Sequence, residues 1–234
     1  MKPLVVASNM FNEIDQVQEW YDNMREIADA GILIVDTGST DGSREFFEER
    51  ANSYLKYVVD DIILREGYGP ARNHLRLLGK QFFPRAHWLL YLDFDERLEK
   101  EDFHNLRFLK DYLNEAYDIV ALPRLNRLSR DNDLTKYDFR INPDYQARMT
   151  RLDAPVRYIR KIHEQIVGGR IFAELTNPKI HHHHRSTSKE KRDYIGKVCV
   201  MLHDADNEFK HTVPDHHKAD HYRELLKKEG LHGK

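Results

Sequence analysis

One short segment restricts the fold more than any other part of this chain. The apolar run 88–92 is long enough for one buried strand, and it ends abruptly at Asp93-Phe94-Asp95. In an open α/β sheet, ligands bind in the crevice beyond the carboxyl ends of the strands. A strand that ends in Asp-x-Asp therefore places carboxylate oxygens, which suit Mg²⁺ or Mn²⁺, where a ligand binds. The alternative is an ordinary strand-to-helix turn, because Asp is also frequent in turns and at helix N-termini.

The first half of the chain alternates short apolar runs with segments of helical periodicity. We predict strands at 4–8, 32–35, 55–59, 88–92 and 117–122. Between them we predict helices at 15–30, through residues 46 and 47, at 69–80 and at 100–115. Strands that alternate with helices form right-handed βαβ units and a mostly parallel sheet. Beyond residue 123 the chain is polar and turn-rich, and we predict a hairpin or loop at 124–145, short antiparallel strands at 146–151 and 157–162, and helices at 187–206 and 215–229.

Composition limits the class of protein. The 234 residues suffice for one large domain, or for a domain with an appendage. Hydrophobic residues at 40% argue against disorder, and a net charge of -2 gives no reason to expect a nucleic-acid partner. The single Cys199 excludes an intramolecular disulfide and suits a reducing compartment. Without a cleavage signal or an apolar run of roughly 18 residues, we expect a cytoplasmic protein, with peripheral membrane contact left open.

The loop after the second predicted strand is the next signal. It contains Asp36, Gly38, Ser39 and Asp41 within the segment 36–43. Small residues and glycines leave backbone amides accessible, and a carboxylate there can accept hydrogen bonds from a base or a ribose. Any doubly wound α/β protein could contain such a turn, so the loop alone does not identify a nucleotide site.

A second segment makes this interpretation more specific. Asn9, Asn12 and Glu13 follow the first predicted strand. Together with the loop 36–43, they resemble the start of the family 2 glycosyltransferases of the GT-A fold. In that family a strand, an Asn-Glu pair and a helix precede a strand that ends in Asp-x-Gly-Ser-x-Asp-Gly. The resemblance implies that both segments bind the base and ribose of a nucleotide sugar.

The resemblance continues in matching order toward the acidic motif. Arg72 and Asn73 lie where the family has an Arg-Asn pair at the start of the helix before the metal-binding strand. An Arg beside a helix N-terminus suits a diphosphate, because the helix dipole, free amides and guanidinium all favour anions. A surface ion pair is the alternative role for Arg72. Asp93 and Asp95 then match the family's Asp-x-Asp, which implies that Asp95, assisted by Asp93, holds Mn²⁺ or Mg²⁺ and that Asp93 also contacts the donor.

The acceptor half matches the family at fewer positions. The segment 147–151, Tyr158 and the His163-Glu164 pair are similar to a segment ending in His-Glu in some members. Many relatives instead have a Glu-Asp pair, which this chain lacks. The resemblance implies Glu164 as the base that deprotonates the acceptor hydroxyl, a step that requires a positioned carboxylate or imidazole. His163 is the alternative base, or it orients Glu164.

Four consecutive histidines, 181–184, precede the last predicted helices. If this run is a strand, His181 and His183 lie on one face, while the second and fourth lie on the other. Relatives often carry a His here that helps to bind the metal or the diphosphate. By that likeness His181 is the first candidate and His183 the second. These histidines alone do not form a zinc site, because adjacent residues do not converge tetrahedrally.

The resemblance as a whole implies an α/β protein of the GT-A fold, a Rossmann-like, mostly parallel sheet flanked by helices, with a small antiparallel acceptor-side portion and C-terminal helices. We expect one catalytic domain at 1–186, with a donor half at 1–98 and an acceptor half at 99–186, and a helical extension at 187–234. The implied activity is metal-dependent, inverting transfer from a nucleoside-diphosphate sugar, expected to be a UDP-sugar, to a hydroxyl acceptor such as a glycan.

Two other classes of protein share parts of this pattern. A nucleotidyltransferase that makes nucleotide sugars has a similar α/β layout and metal-binding carboxylates. It usually carries a Gly-rich, basic phosphate loop after its first strand, and the segment 8–13 is not such a loop. A non-catalytic nucleotide-sugar binding module is the second alternative, and it would bind the donor without turnover.

Overall fold

The structure, a computed structural model, describes residues 1–127, 143–173, 175–183, 189–205 and 216–228. Within these ranges the strands are β1 (Leu4–Met10), β2 (Gly31–Asp36), β3 (Leu55–Val59), β4 (Trp88–Tyr91), β5 (Glu96–Arg97), β6 (Ile119–Arg127), β7 (Asp144–Arg151), β8 (Arg157–Ile159), β9 (Gln165–Val167), β10 (Ile171–Phe172) and β11 (Ile180–His183). The helices are α1 (Ile14–Arg25), α2 (Ser43–Glu48), α3 (Ile62–Glu66), α4 (Tyr68–Phe82), α5 (Lys100–Tyr112), α6 (Lys189–Ala205) and α7 (His216–Lys228).

A mixed sheet forms the centre of the fold. Its strand order is β3-β2-β1-β4-β7-β6-β11-β5, and β10 pairs with β6. The first four strands in this order are mutually parallel, so the carboxyl ends of β1, β2 and β4 lie along one edge. The next strand, β7, runs antiparallel to both β4 and β6, and β8 and β9 form a separate antiparallel pair. The predicted fold class, a largely parallel α/β sheet with a smaller antiparallel part, is confirmed.

Helices cover both faces of the parallel strands. Alternate residues of β1 belong to two different core clusters, Leu4 with Trp20 of α1 on one face and Val5 with Leu75 of α4 on the other. All four side chains are fully buried. A strand buried on both faces reads as a continuous apolar run, which explains why these strands are visible in the sequence. Each buried Leu or Val contributes about 1.5–3 kcal/mol relative to an exposed one.

The first helix is shorter than its periodicity predicts. It ends at Arg25, whereas the apolar pattern continues through Ile27 and Ala28, which are buried in the same core outside the helix. Two hydrogen bonds fix the return of the chain to the sheet. Asp29 Oδ1 accepts from the Leu4 amide at 2.7 Å, and the Ala30 amide donates to the Leu4 carbonyl at 2.9 Å. Core burial therefore continues where helical hydrogen bonding stops.

The polar stretch 124–145 is partly a hairpin. Arg124 of β6 pairs in antiparallel register with Asp144 of β7, and the chain between 128 and 142 lies outside the described residues. The short elements α3, β5, β9 and β10 were not predicted, because two to five residues carry no recognisable period. No helix in the described part of the chain is long and apolar enough to cross a membrane.

Candidate active site

A cavity of about 230 Å³ lies at the sheet edge where β1, β2 and β4 end. Its walls come from the ends of these strands, from the turn after β4, and from β11, α3, α4 and α6. The residues that line it are Asn9, Met10, Phe11, Glu13, Thr37, Ile63, Tyr68, Tyr91, Asp93, Phe94, Asp95, His182, Lys191, Tyr194, Ile195 and Val198. This is the position at which open α/β sheets bind ligands.

A buried arginine braces the acidic motif. Arg148 Nη2 lies 2.9 Å from Asp93 Oδ2 and 2.5 Å from Glu96 Oε1. The Tyr91 hydroxyl donates to the other oxygen of Asp93 at 2.7 Å. Burial works in the opposite direction, but Arg148, then Arg72 and Tyr91, hold the pKa of Asp93 down at about 2. Protein groups therefore engage both carboxylate oxygens of Asp93, and Asp93 shapes the turn that presents Asp95.

Asp95 meets a histidine of β11. His182 Nε2 lies 3.0 Å from Asp95 Oδ2, and His182 Nδ1 lies 2.8 Å from Asn126 Oδ1. An amide oxygen only accepts hydrogen bonds, so Nδ1 carries a hydrogen and donates to it. In a neutral ring Nε2 then presents its lone pair to a carboxylate, and two acceptors face each other. That contact is favourable with a proton on Nε2 or with a cation shared by the two groups.

The donor atoms at this position suit a hard divalent cation. A carboxylate oxygen and an imidazole nitrogen fit Mn²⁺, and the carboxylate fits Mg²⁺. In the described ranges, no three His, Cys, Asp or Glu side chains form a group that could hold a metal. A cation beside Asp95 would share its coordination with water and with substrate oxygens, as Mg²⁺ commonly does at phosphate sites.

The other histidines lie elsewhere. His181 is 4% exposed, and its Nδ1 lies 3.4 Å from Glu99 Oε1. His183 lines a separate groove that also contains Glu99 and Phe103. The strand alternation expected from the sequence is present, but His182, which was not chosen as a candidate, is the residue that lines the cavity and contacts Asp95. His184 falls outside the described residues.

The loops after β1 and β2 are tied to each other by side chains predicted to bind the nucleotide. Ser39 Oγ accepts from the Asn12 amide at 2.9 Å, and Asn12 Oδ1 accepts from the Thr40 amide at 2.8 Å. Asp41 Oδ2 accepts from the Ile14 amide at the start of α1 at 3.0 Å. These bonds fix the rim of the cavity, while nucleotide contacts by Asn12, Ser39 and Asp41 stay predictions.

Asp36 is held inside this rim. It is fully buried, and one carboxylate oxygen accepts from the amides of Gly38 at 3.1 Å and Ser39 at 2.8 Å. The other accepts from the Tyr57 hydroxyl at 2.6 Å. Both oxygens thus have internal partners that shape the turn containing Gly38. Direct contact between Asp36 and a base or ribose stays a prediction, and the geometry supports a positioning role.

Asn9 and Glu13 both line the cavity itself. The Oδ1 and Nδ2 atoms of Asn9 are buried without a hydrogen-bond partner among the described residues. Buried polar groups are normally paired, so this carboxamide is available to a ligand. Glu13 Oε1 lies 2.6 Å from Lys191 Nζ of α6. Burial raises the pKa of Glu13 to about 7, although Lys191 acts to lower it.

The predicted diphosphate and acceptor residues meet in one ion pair. Arg72 Nη2 lies 2.5 Å from Glu164 Oε1, and the Arg72 guanidinium lies over the Tyr91 ring at 4.1 Å. Both charged side chains are largely buried, at 13% and 15% exposure. Tyr91 lines the cavity, whereas Arg72 and Glu164 are not among the residues that line it. The structure thus brings together two residues that are far apart in the sequence.

The neighbours of this pair have different positions. The Asn73 carboxamide exchanges two hydrogen bonds of 2.7 Å with the backbone of Tyr158, and it therefore holds β8 against α4. Contact between Asn73 and a diphosphate stays a prediction. His163 is exposed, with a positive φ of 51°.

Sequence patterns gave no direct indication of three residues at this site. Arg148 lies in the predicted strand 146–151, where no sequence pattern indicated a buried charge. Lys191 and Tyr194 lie in a helix predicted to belong to the C-terminal extension. His182 was in view only as a member of the alternating run. Each of these residues reaches the cavity or its acidic motif through tertiary packing.

Comparison with known proteins establishes the fold. No protein family model matches the sequence, and no curated relative was found. The structure is similar to S. aureus TarS, with a TM-score of 0.53 and 15% identity over 99% of this chain and 43% of that chain. A structure of TarS residues 1–349 in complex with UDP-GlcNAc is similar at a TM-score of 0.52 and 14% identity, over 98% of this chain and 72% of that one. The chain shares the fold of TarS and spans less than half of the longer TarS chain.

The contact between Arg148 and Asp93 predicts that substitutions of Asp93 and Asp95 differ in their effect on the free energy of unfolding. Asp93→Asn removes a charge-assisted partner of buried Arg148. Because about a third of the Asp93 side chain is exposed to solvent, we expect the free energy of unfolding to fall by only about 1–2 kcal/mol at pH 7. Asp95→Asn, the same chemical change two residues away, should cost less than about 0.5 kcal/mol. Urea denaturation measures both.

The pH dependence supplies the control for this prediction. An acid with a lowered pKa stabilises the fold fully above its unfolded pKa of 3.8, and this contribution is lost as the pH falls through about 2. The deficit of Asp93→Asn should therefore be constant from pH 7 to about pH 5 and should shrink below pH 4. Equal losses of stability in the two variants at pH 7 would contradict a stabilising contact between Arg148 and Asp93.

Proposed function

We propose that this protein is a metal-dependent glycosyltransferase that transfers a sugar from a nucleoside-diphosphate sugar to a hydroxyl acceptor. One observation carries the proposal. In a glycosyltransferase fold, the contact between Asp95 and His182 lies in a cavity at the carboxyl ends of the parallel strands. The tautomer of His182, fixed by Asn126, directs a nitrogen lone pair toward Asp95, which is how proteins orient histidines that bind metals.

The donor would bind along the sheet edge. Asn9 and Glu13 line the part of the cavity that is next to the rim of the β1 and β2 loops, and they suit the base and ribose. Asp95 and His182 would hold Mn²⁺ or Mg²⁺ with the diphosphate. The cation would neutralise the negative charge that builds on the leaving diphosphate. A UDP-sugar is the first donor to test, because the similar structure of TarS contains UDP-GlcNAc.

The acceptor would approach from the side of Glu164. As the base, Glu164 takes the proton of the acceptor hydroxyl while its oxygen bonds to the anomeric carbon and the bond from that carbon to the diphosphate breaks. A single displacement of this kind inverts the anomeric configuration. Arg72 contacts the Glu164 carboxylate and therefore fixes its position. A glycan is the proposed acceptor, and His163 is the alternative base at the exposed flank.

The metal site predicts a selective loss of activity. Asp95→Asn and His182→Ala should each lower transfer from UDP-GlcNAc at least about 100-fold, because an amide or a methyl group is a poor ligand for a hard dication. His183→Ala, in the neighbouring groove, is the matched control and should stay near wild type. Sugar release from the donor, measured with Mn²⁺ and with EDTA, gives the result. Full activity of wild type in EDTA would contradict metal dependence, and donor binding without any turnover would favour a binding module.

The role of Glu164 as the base predicts that its substitution lowers kcat and leaves donor affinity nearly unchanged. Glu164→Gln keeps the size of the side chain but cannot take a proton, so kcat should fall by about 10² to 10⁴ while donor affinity changes little. His163→Asn is the matched substitution at the alternative base. Steady-state kinetics at saturating donor and acceptor separate the two residues. If only His163→Asn lowers kcat, the roles are reversed, and if neither does, the base lies elsewhere.

A further inference from the structure

Helix α6 covers the cavity with one face. Its residues Lys191, Tyr194, Ile195 and Val198 line the cavity at helical spacing. The Tyr194 ring stacks on Phe11, just after β1, with a centroid distance of 3.9 Å and an interplanar angle of 15°. Further along, this helix packs in a buried cluster with residues of α3 and α4. A helix predicted to belong to an extension therefore forms a wall of the proposed donor site.

Lys191 brings a positive charge from α6 into the cavity. Its Nζ lies 2.6 Å from Glu13 Oε1, and the two side chains are 12% and 16% exposed. The cavity wall also carries Asp93 and Asp95. Arg148 offsets the charge of Asp93, and a metal would offset that of Asp95. Lys191 therefore offsets the remaining acid, Glu13, which would otherwise repel a diphosphate.

We propose that Lys191 binds the diphosphate of the donor, and that Glu13 holds its ammonium group in position before the donor arrives. This inference rests on the proposed function and extends it to a residue of α6. An ammonium group has three hydrogen-bond donors on a flexible stem, so it can contact Glu13 and a phosphate oxygen together or exchange one for the other. Helix α6 would then contribute a cation to the donor site.

A role on the diphosphate can be separated from a structural role. If Lys191 contacts phosphate, its loss weakens the binding of a nucleoside diphosphate much more than the binding of the parent nucleoside. If Lys191 only holds α6 in place, its loss weakens the binding of both ligands by a similar factor. The ratio of the nucleoside Kd to the nucleoside-diphosphate Kd is therefore the informative quantity.

Isothermal titration calorimetry with Mn²⁺ measures this ratio. Wild type is first titrated with UDP, GDP and ADP, and the best of these is then compared with its nucleoside. In Lys191→Gln the ratio should fall at least about tenfold, the loss expected for one charge-assisted hydrogen bond. Arg192→Gln is the matched control, since it removes the same charge from the adjacent, exposed position of α6 and should leave the ratio unchanged.

A second variant covers the case in which Lys191→Gln leaves Glu13 buried and unpaired and does not fold. The double variant Glu13→Gln with Lys191→Gln has a neutral pair, and its ratio should also fall, by a smaller factor because the repulsion between Glu13 and the diphosphate is removed as well. An unchanged ratio in either folded variant, or an equal fall in Arg192→Gln, overturns the role of Lys191. If wild type binds no nucleoside diphosphate, the proposed function fails as well, and this result is distinct from binding that does not depend on Lys191.

Discussion

The site depends on the buried guanidinium of Arg148. The turn after β4 places Asp93, Asp95 and Glu96 within four residues, and such a cluster would repel itself without a cation. Burial raises the pKa of Glu96, and a buried carboxylate is costly unless it is paired. Arg148, at 2% exposure, bonds to both Glu96 and Asp93. The antiparallel pairing of β7 with β4 brings Arg148 to this point, so sheet topology and site electrostatics are linked.

The two aspartates of the motif have different partners and therefore different roles. Asp93 is committed to Arg148 and Tyr91, whereas Asp95 faces the cavity and His182. A carboxylate held by two partners is a poor candidate for exchange with a ligand, because any new contact must replace an existing one. Asp95 is therefore the residue best placed to bind a cation, and Asp93 fixes the turn that directs it.

Much of the fold could be predicted from sequence because β1, β2 and β4 are buried on both faces and appear as continuous apolar runs. The donor-side segments could be recognised as motifs, but motifs do not show which atoms face a cavity. Asp36 illustrates this, since its carboxylate is turned inward to its own loop and to Tyr57. His182 and Lys191 were not identified, because their positions depend on how β11 and α6 pack against distant parts of the chain.

The central claim is that Asp95 and His182 hold a divalent cation beside the diphosphate of a nucleotide sugar. A crystal structure of the protein with Mn²⁺ and UDP, with anomalous diffraction data for manganese, tests this claim most directly. We predict one anomalous peak in the cavity, about 2.1 Å from an oxygen of Asp95 and in contact with His182 Nε2 and diphosphate oxygens. A cavity that binds UDP with no anomalous peak at Asp95, or manganese bound only elsewhere, would contradict the account.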